Sequence, residues 1–142
     1  MFARSCIVGI AFLMFGLTGS ILLAQNTSST RDGVYTPDQA QQGAAIYATQ
    51  CATCHGDTLQ GSGQNPPLAG DDFLNDWTDQ TLGDLDSTIR NSMPATNPGS
   101  LKPAEVADLI AYILKMNKFP AGKAELPVKQ DSLKLIHIEK PQ

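Results

Sequence analysis

Apolar residues recur at helical spacing in three stretches of the chain, and polar, turn-forming sequence separates them. The first stretch opens at Thr36-Pro37-Asp38-Gln39. Thr36 can cap the free backbone N–H groups, Pro37 suits the first helical position, and Asp38 favours the positive end of the helix dipole. The pattern runs through Ala40, Gly43, Ala44 and Tyr47 to Cys51. Gly43 is a weak helix former, and its place one turn before an aromatic points to close approach of another helix. The second stretch, Gln80 to Ser92, puts Leu82, Leu85 and Ile89 on one stripe, and four residues on the stripe reaches Met93. Pro94 stops the helix there, because proline disfavours the α conformation in the residue before it. The third stretch opens at Lys102-Pro103-Ala104-Glu105, with Ser100 as a second candidate cap. It carries Val106, Leu109, Ile110, Ile113 and Leu114 on one face, with Tyr112 beside it, and ends near Asn117.

Between the first two helices lies Gly56 to Gly70, rich in Gly, Pro, Asn, Gln and Ser. A loop of this length inside a small domain is usually functional. Asp71 to Asp79 then carries Phe73, Leu74 and Trp77 among acidic residues. The flanks read differently. Arg4 precedes an almost wholly apolar or small run, Ile7 to Leu23, and Ala24 is a small residue at a cleavage point. Residues 1–24 therefore read as a secretory signal peptide; the alternative is a retained membrane anchor over residues 7–23. Residues 25–35 are polar and read as a flexible leader. The domain proper spans 36–118. Residues 119–142 form a tail, in which Leu133, Leu135, Ile136 and Ile138 are too apolar to hang free. They strap onto the domain or onto a partner.

At 142 residues there is room for one all-α domain. Loss of the signal would remove Arg4 and leave nine basic against fourteen acidic side chains, a net charge of −5. That balance argues against nucleic acid and anionic lipid as partners. It would also remove Cys6, leaving two cysteines and no spare thiol for an oxidising compartment.

Those two cysteines stand in Cys51-Ala52-Thr53-Cys54-His55, the C-x-x-C-H signal for covalent haem attachment. On a helical turn, residues three apart share a face and the fourth lies beside them. Two thiols can thus bond neighbouring vinyl groups while His55 turns under the iron. A zinc site would need two more good ligands, and outside the motif the chain offers Cys6 and His137. A thioredoxin-like site would need a preceding strand, whereas the sequence before Cys51 is helical in pattern. Met93 is aimed the same way as the apolar stripe Leu82, Leu85 and Ile89, at the start of an irregular loop, so Met93 is the candidate second iron ligand. Met116 and His137 are the weaker alternatives. Pro66 is the candidate carbonyl for the second ring N–H of His55, since ligating histidines normally donate it. The Trp77 indole N–H, if buried, needs a partner such as a haem propionate.

With Cys51 to His55, Pro66-Pro67-Leu68-Ala69-Gly70, Met93-Pro94 and the helix around Leu109 to Ile113 in place, the chain resembles bacterial class I c-type cytochromes over residues 36–118. Gly43 and Tyr47 match the family's crossing of N-terminal and C-terminal helices near Leu109 and Tyr112. A narrower similarity, in Thr81-Leu82-Gly83-Asp84-Leu85 and the Met93-Pro94 to Leu101 loop, is to cytochromes associated with periplasmic quinoprotein dehydrogenases. The resemblance implies a cytochrome c-like fold of three to five helices around one covalent haem c. It implies a periplasmic electron carrier, not an enzyme, between a dehydrogenase donor and an oxidase or cytochrome acceptor. The alternatives are a fixed subunit of a dehydrogenase complex and a ligand-binding haem protein with an open iron position.

Overall fold

The computed structural model describes residues 27–141, so the expectations of a signal peptide over 1–24 and an anchor over 7–23 lie outside the described residues. Chain order is β1 (Ser28–Ser29), α1 (Pro37–Gln50), α2 (Ala52–His55), α3 (Asp71–Trp77), α4 (Leu82–Ser92), α5 (Pro103–Met116), α6 (Gln130–Leu133) and β2 (Ile136–His137). That is one helix more than expected, because the tail contributes the single turn α6.

The helix boundaries follow from local chemistry. The Thr36 hydroxyl accepts from the Gln39 N–H at 3.3 Å, and the Gln39 side chain accepts from the Thr36 N–H in return, a reciprocal cap. Thr81 and Asp84 make the same box at the start of α4, with the Thr81 N–H donating to Asp84 Oδ2 at 3.0 Å. The two hydroxyl and backbone donors at Thr81 hold the Asp84 carboxyl below the usual carboxylate range. At α5 the cap comes from Glu105, whose Oε2 accepts from the Lys102 N–H at 2.7 Å, rather than from Ser100.

The core is organised on α5, where Val106, Ala107, Ile110, Ala111 and Leu114 are fully buried. Helix α1 crosses it at Gly43. A Cβ added there would sit 1.9 Å from the Asp108 carbonyl oxygen, so only glycine admits this approach. Tyr47 continues the seam, with its ring centroid 5.4 Å from that of Tyr112.

The leader departs from what the sequence suggests, and the tail takes the first of its two expected courses. Residues 28–35 are tied down rather than flexible: Thr30 is fully buried and Tyr35 nearly so. Strand β1 pairs in parallel with β2, Ser28 opposite Ile136 and Ser29 opposite His137. Arg31 donates through Nε to the Lys140 carbonyl at 2.7 Å, and Tyr35 Oη donates to the Phe119 carbonyl at 2.8 Å. The tail straps onto the domain itself, burying Leu126, Leu133, Ile136 and Ile138. Each such side chain contributes about 1.5–3 kcal/mol on leaving water. The Gln39 amide grips the strap through both backbone groups of one residue, accepting from the Leu126 N–H at 2.7 Å and donating to the Leu126 carbonyl at 3.2 Å.

Candidate cofactor site

The site begins where α1 ends. The Cys51 N–H still bonds to the Tyr47 carbonyl at 2.9 Å, and the His55 N–H bonds back to the Cys51 carbonyl at 2.9 Å. The motif therefore occupies one helical turn, α2, closed by Gly56 at φ +80°. Tyr47 fixes this corner from below, its hydroxyl donating to the Gly56 carbonyl at 2.6 Å. Burial, reinforced by neighbouring acidic groups including Cys51, pushes the Tyr47 phenol up to about 12, so it stays a donor.

His55 is buried, and its Nδ1 lies 2.9 Å from the Pro66 carbonyl oxygen. A carbonyl only accepts, so Nδ1 carries the proton and Nε2 presents a lone pair. The loop that supplies this carbonyl is pinned along its length. The Gly61 N–H reaches the His55 carbonyl at 2.8 Å, and the Leu68 N–H reaches the Leu59 carbonyl at 2.8 Å. Sequence reasoning missed the strongest pin, Asn117. Its Nδ2 donates to the Leu68 and Ile113 carbonyls, each at 2.9 Å, and its Oδ1 accepts from the Gly70 N–H at 3.0 Å. Its signal in the sequence, a polar residue at a helix end, reads equally well as an ordinary cap. Replacing it with alanine leaves the loop carbonyl and N–H without their partner. Asn117→Ala is expected to cost roughly 2–4 kcal/mol of unfolding free energy, read as a lowered guanidinium midpoint. An unchanged midpoint would show that the loop holds itself.

Beside this corner is a cavity of about 550 Å³, a size typical of small-molecule and cofactor sites. Cys51, Cys54, His55, Pro66, Trp77 and Met93 all line it, so every candidate site residue converges on one space. Its apolar wall comes from Leu85 and Ile89 of α4 and from Leu109 and Ile113 of α5. Met93 caps α4, its N–H bonded to the Ile89 carbonyl at 2.9 Å. Trp77 is half-buried and stacks on Phe73, with centroids 6.1 Å apart. His137 sits exposed in β2, away from the cavity lining.

This arrangement fits a covalent haem. Burial and the neighbouring Cys54 push the Cys51 thiol up to about 11, so the wall disfavours a thiolate and suits an uncharged thioether. Among the described residues no group of three or more His, Cys, Asp or Glu converges as a metal site. His55 would hold the iron through Nε2, Cys51 and Cys54 would carry the thioether bonds, and Met93 offers sulfur from the end of α4.

Comparison with known proteins agrees. The family described as cytochrome c oxidase, cbb3-type, subunit III, matches residues 38–113. The cbb3-type cytochrome c oxidase subunit CcoP of Rhodobacter capsulatus is 30% identical over 62% of this chain, which spans 34% of that protein. The thiosulfate dehydrogenase of Stutzerimonas stutzeri is 38% identical over 51% of this chain, which spans 25% of that protein. The cytochrome c of Gossypium barbadense is 30% identical over 54% of this chain, which here spans 89% of the relative. The sulfane dehydrogenase SoxCD of Paracoccus pantotrophus shares the fold, with TM-score 0.50 and 23% identity over 75% of this chain and 60% of that one. The chain thus spans about a third or less of the first two relatives but nearly the whole of the plain cytochrome c. Motif, cavity and relatives lead to one conclusion: the chain belongs to the cbb3-type cytochrome c oxidase subunit III family, as a class I c-type cytochrome that binds haem c covalently.

Proposed function

We propose that the protein is a mono-haem electron carrier whose iron is held between His55 and Met93, outside the cytoplasm. It takes single electrons from a dehydrogenase, of quinoprotein type in our reading, and passes them to an oxidase or a second cytochrome. Haem supplies a one-electron iron couple, and the chain supplies its ligands and surroundings. One observation carries the reading: Cys51, Cys54, His55 and Met93 line one cavity, and His55 Nδ1 is taken up by the Pro66 carbonyl. Two neutral ligands retained in both oxidation states keep the rearrangement on electron transfer small. Thioether sulfur favours the reduced iron and raises the potential.

The surface supports a partner with a positive or apolar docking face. From Asp32 to Ile89 the chain carries nine aspartates and no Lys or Arg. Helix α3 exposes Asp71, Asp72 and Asp76, and Asp76 lines the cavity. No described helix is long and apolar enough to cross a membrane. In this reading residues 1–24 direct export, with residues 7–23 as an anchor if they are retained.

A second reading has one observation in its favour. The relatives that the chain matches over only a third or a quarter of their length are an oxidase subunit and a dehydrogenase, so this domain also occurs inside larger redox proteins. In that reading the chain is a fixed subunit. Voltammetry of the adsorbed protein separates carrier from enzyme. A carrier gives one reversible one-electron wave that added thiosulfate leaves unchanged. A catalytic current on thiosulfate would sink the carrier assignment.

A further inference from the structure

The C-terminal strap lies beyond the family-matched residues 38–113, yet it grips the helix that ends at Met93. Three contacts make the grip. Gly83 of α4 lies so close to the strap that a Cβ there would meet the Lys134 backbone nitrogen at 2.9 Å. Gln130 of α6 donates to the Ser87 hydroxyl. Arg90 works as a two-ended clip, donating through Nε to Asp86 Oδ2 at 2.7 Å and through Nη2 to the Val128 carbonyl at 3.1 Å.

Asp86 explains why the clip is demanding. It is fully buried, its Oδ1 has no hydrogen-bond partner, and Arg90 is its ion-pair partner among the described residues. A buried carboxylate with one oxygen unsatisfied depends on that guanidinium to stay in place. Arg90 is therefore held from below by Asp86 and reaches outward to the strap. It stands three residues before Met93, whose own N–H closes the last turn on Ile89 at 2.9 Å.

We propose that the strap is a clamp on the Met93 side of the haem, with Arg90 as the positioning residue that transmits its hold. The inference rests on Met93 being an iron ligand. With the clip closed, the last turn of α4 is rigid and keeps the thioether at the iron. With the clip open, the turn frays and the sulfur is released more often.

Lysine at position 90 keeps the charge for Asp86 but cannot fork to both partners. The test compares native holoprotein, Arg90→Lys and the control Tyr35→Phe, which removes the bond to the Phe119 carbonyl away from α4. The readouts are the sulfur-to-iron charge-transfer absorption of the oxidised form, carbon monoxide binding by the reduced form, and amide exchange over residues 126–133. Arg90→Lys is expected to weaken the absorption, speed carbon monoxide binding about tenfold, as loss of one charged hydrogen bond implies, and speed exchange in the strap. Tyr35→Phe should lose stability without moving the first two readouts. If Arg90→Lys does not fold, Gln130→Ala should give a smaller shift in the same direction. Faster strap exchange with native absorption and native carbon monoxide kinetics would overturn the proposal. Native protein without the charge-transfer absorption would overturn it at its premise, by removing Met93 from the iron.

Discussion

Met93→Ala is expected to lower the reduction potential by on the order of 0.1–0.3 V, within the ~0.8 V range that axial ligands command. Two effects act in the same direction. The soft sulfur that favours reduced iron is gone, and water enters the space it filled. The cavity wall explains why nothing replaces it. The apolar part of the cavity wall, Leu85, Ile89, Leu101, Leu109 and Ile113, offers no iron ligand, and His137 lies in a strand paired with the leader. The oxidised variant should lose its sulfur-to-iron absorption, and the reduced variant should bind carbon monoxide quickly. The fold should survive, because the helices meet through α5 and the haem stays bonded to Cys51 and Cys54. Potentiometry on the purified variant reads the first effect directly. A potential within a few tens of millivolts of native, with the absorption intact, would take Met93 out of the coordination sphere.

Gly43→Val is expected to be the most damaging single change to the fold. The added Cβ alone would lie 1.9 Å from the Asp108 carbonyl oxygen and 2.9 Å from the Tyr112 Cβ. Both are fixed by α5, so the helices must part, and parting them strips the Tyr47–Tyr112 contact and uncovers Ala40 and Ala107. Roughly 3 kcal/mol or more is lost, against a total of about 5–15 kcal/mol for domains of this kind. Gly43→Ala is the sharper test, because two effects oppose each other. Helix propensity alone would stabilise by about 1 kcal/mol. A backbone contact under 2 Å outweighs that, so alanine should also destabilise. A higher denaturation midpoint for Gly43→Ala would show that the crossing is looser than its geometry states.

Much of this was readable before any coordinates. Capping signals place α1 and α5, and the apolar stripe places α4, each to within two residues. The cavity-lining positions Cys51, Cys54, His55, Pro66 and Met93 are readable too, since each carries a chemical reason local to its stretch. What stayed hidden depends on residues far apart in the chain. The leader pairs with the tail across more than a hundred residues through strands of two residues each, too short to leave an alternating pattern. Asn117 looks like a helix terminus and is instead the pin of a loop nearly fifty positions earlier. Asp86 and Arg90 look like an ordinary i,i+4 surface pair, yet the carboxylate is fully buried and Arg90 reaches on to the strap.

The central claim is a closed iron site, ligated on both sides and built to pass electrons. Carbon monoxide added to the fully reduced native protein tests it most directly. If Met93 fills the position the gas would need, the reduced spectrum stays unchanged over minutes. A rapid, stoichiometric carbon monoxide spectrum would contradict it and would make the protein a ligand-binding haem protein instead.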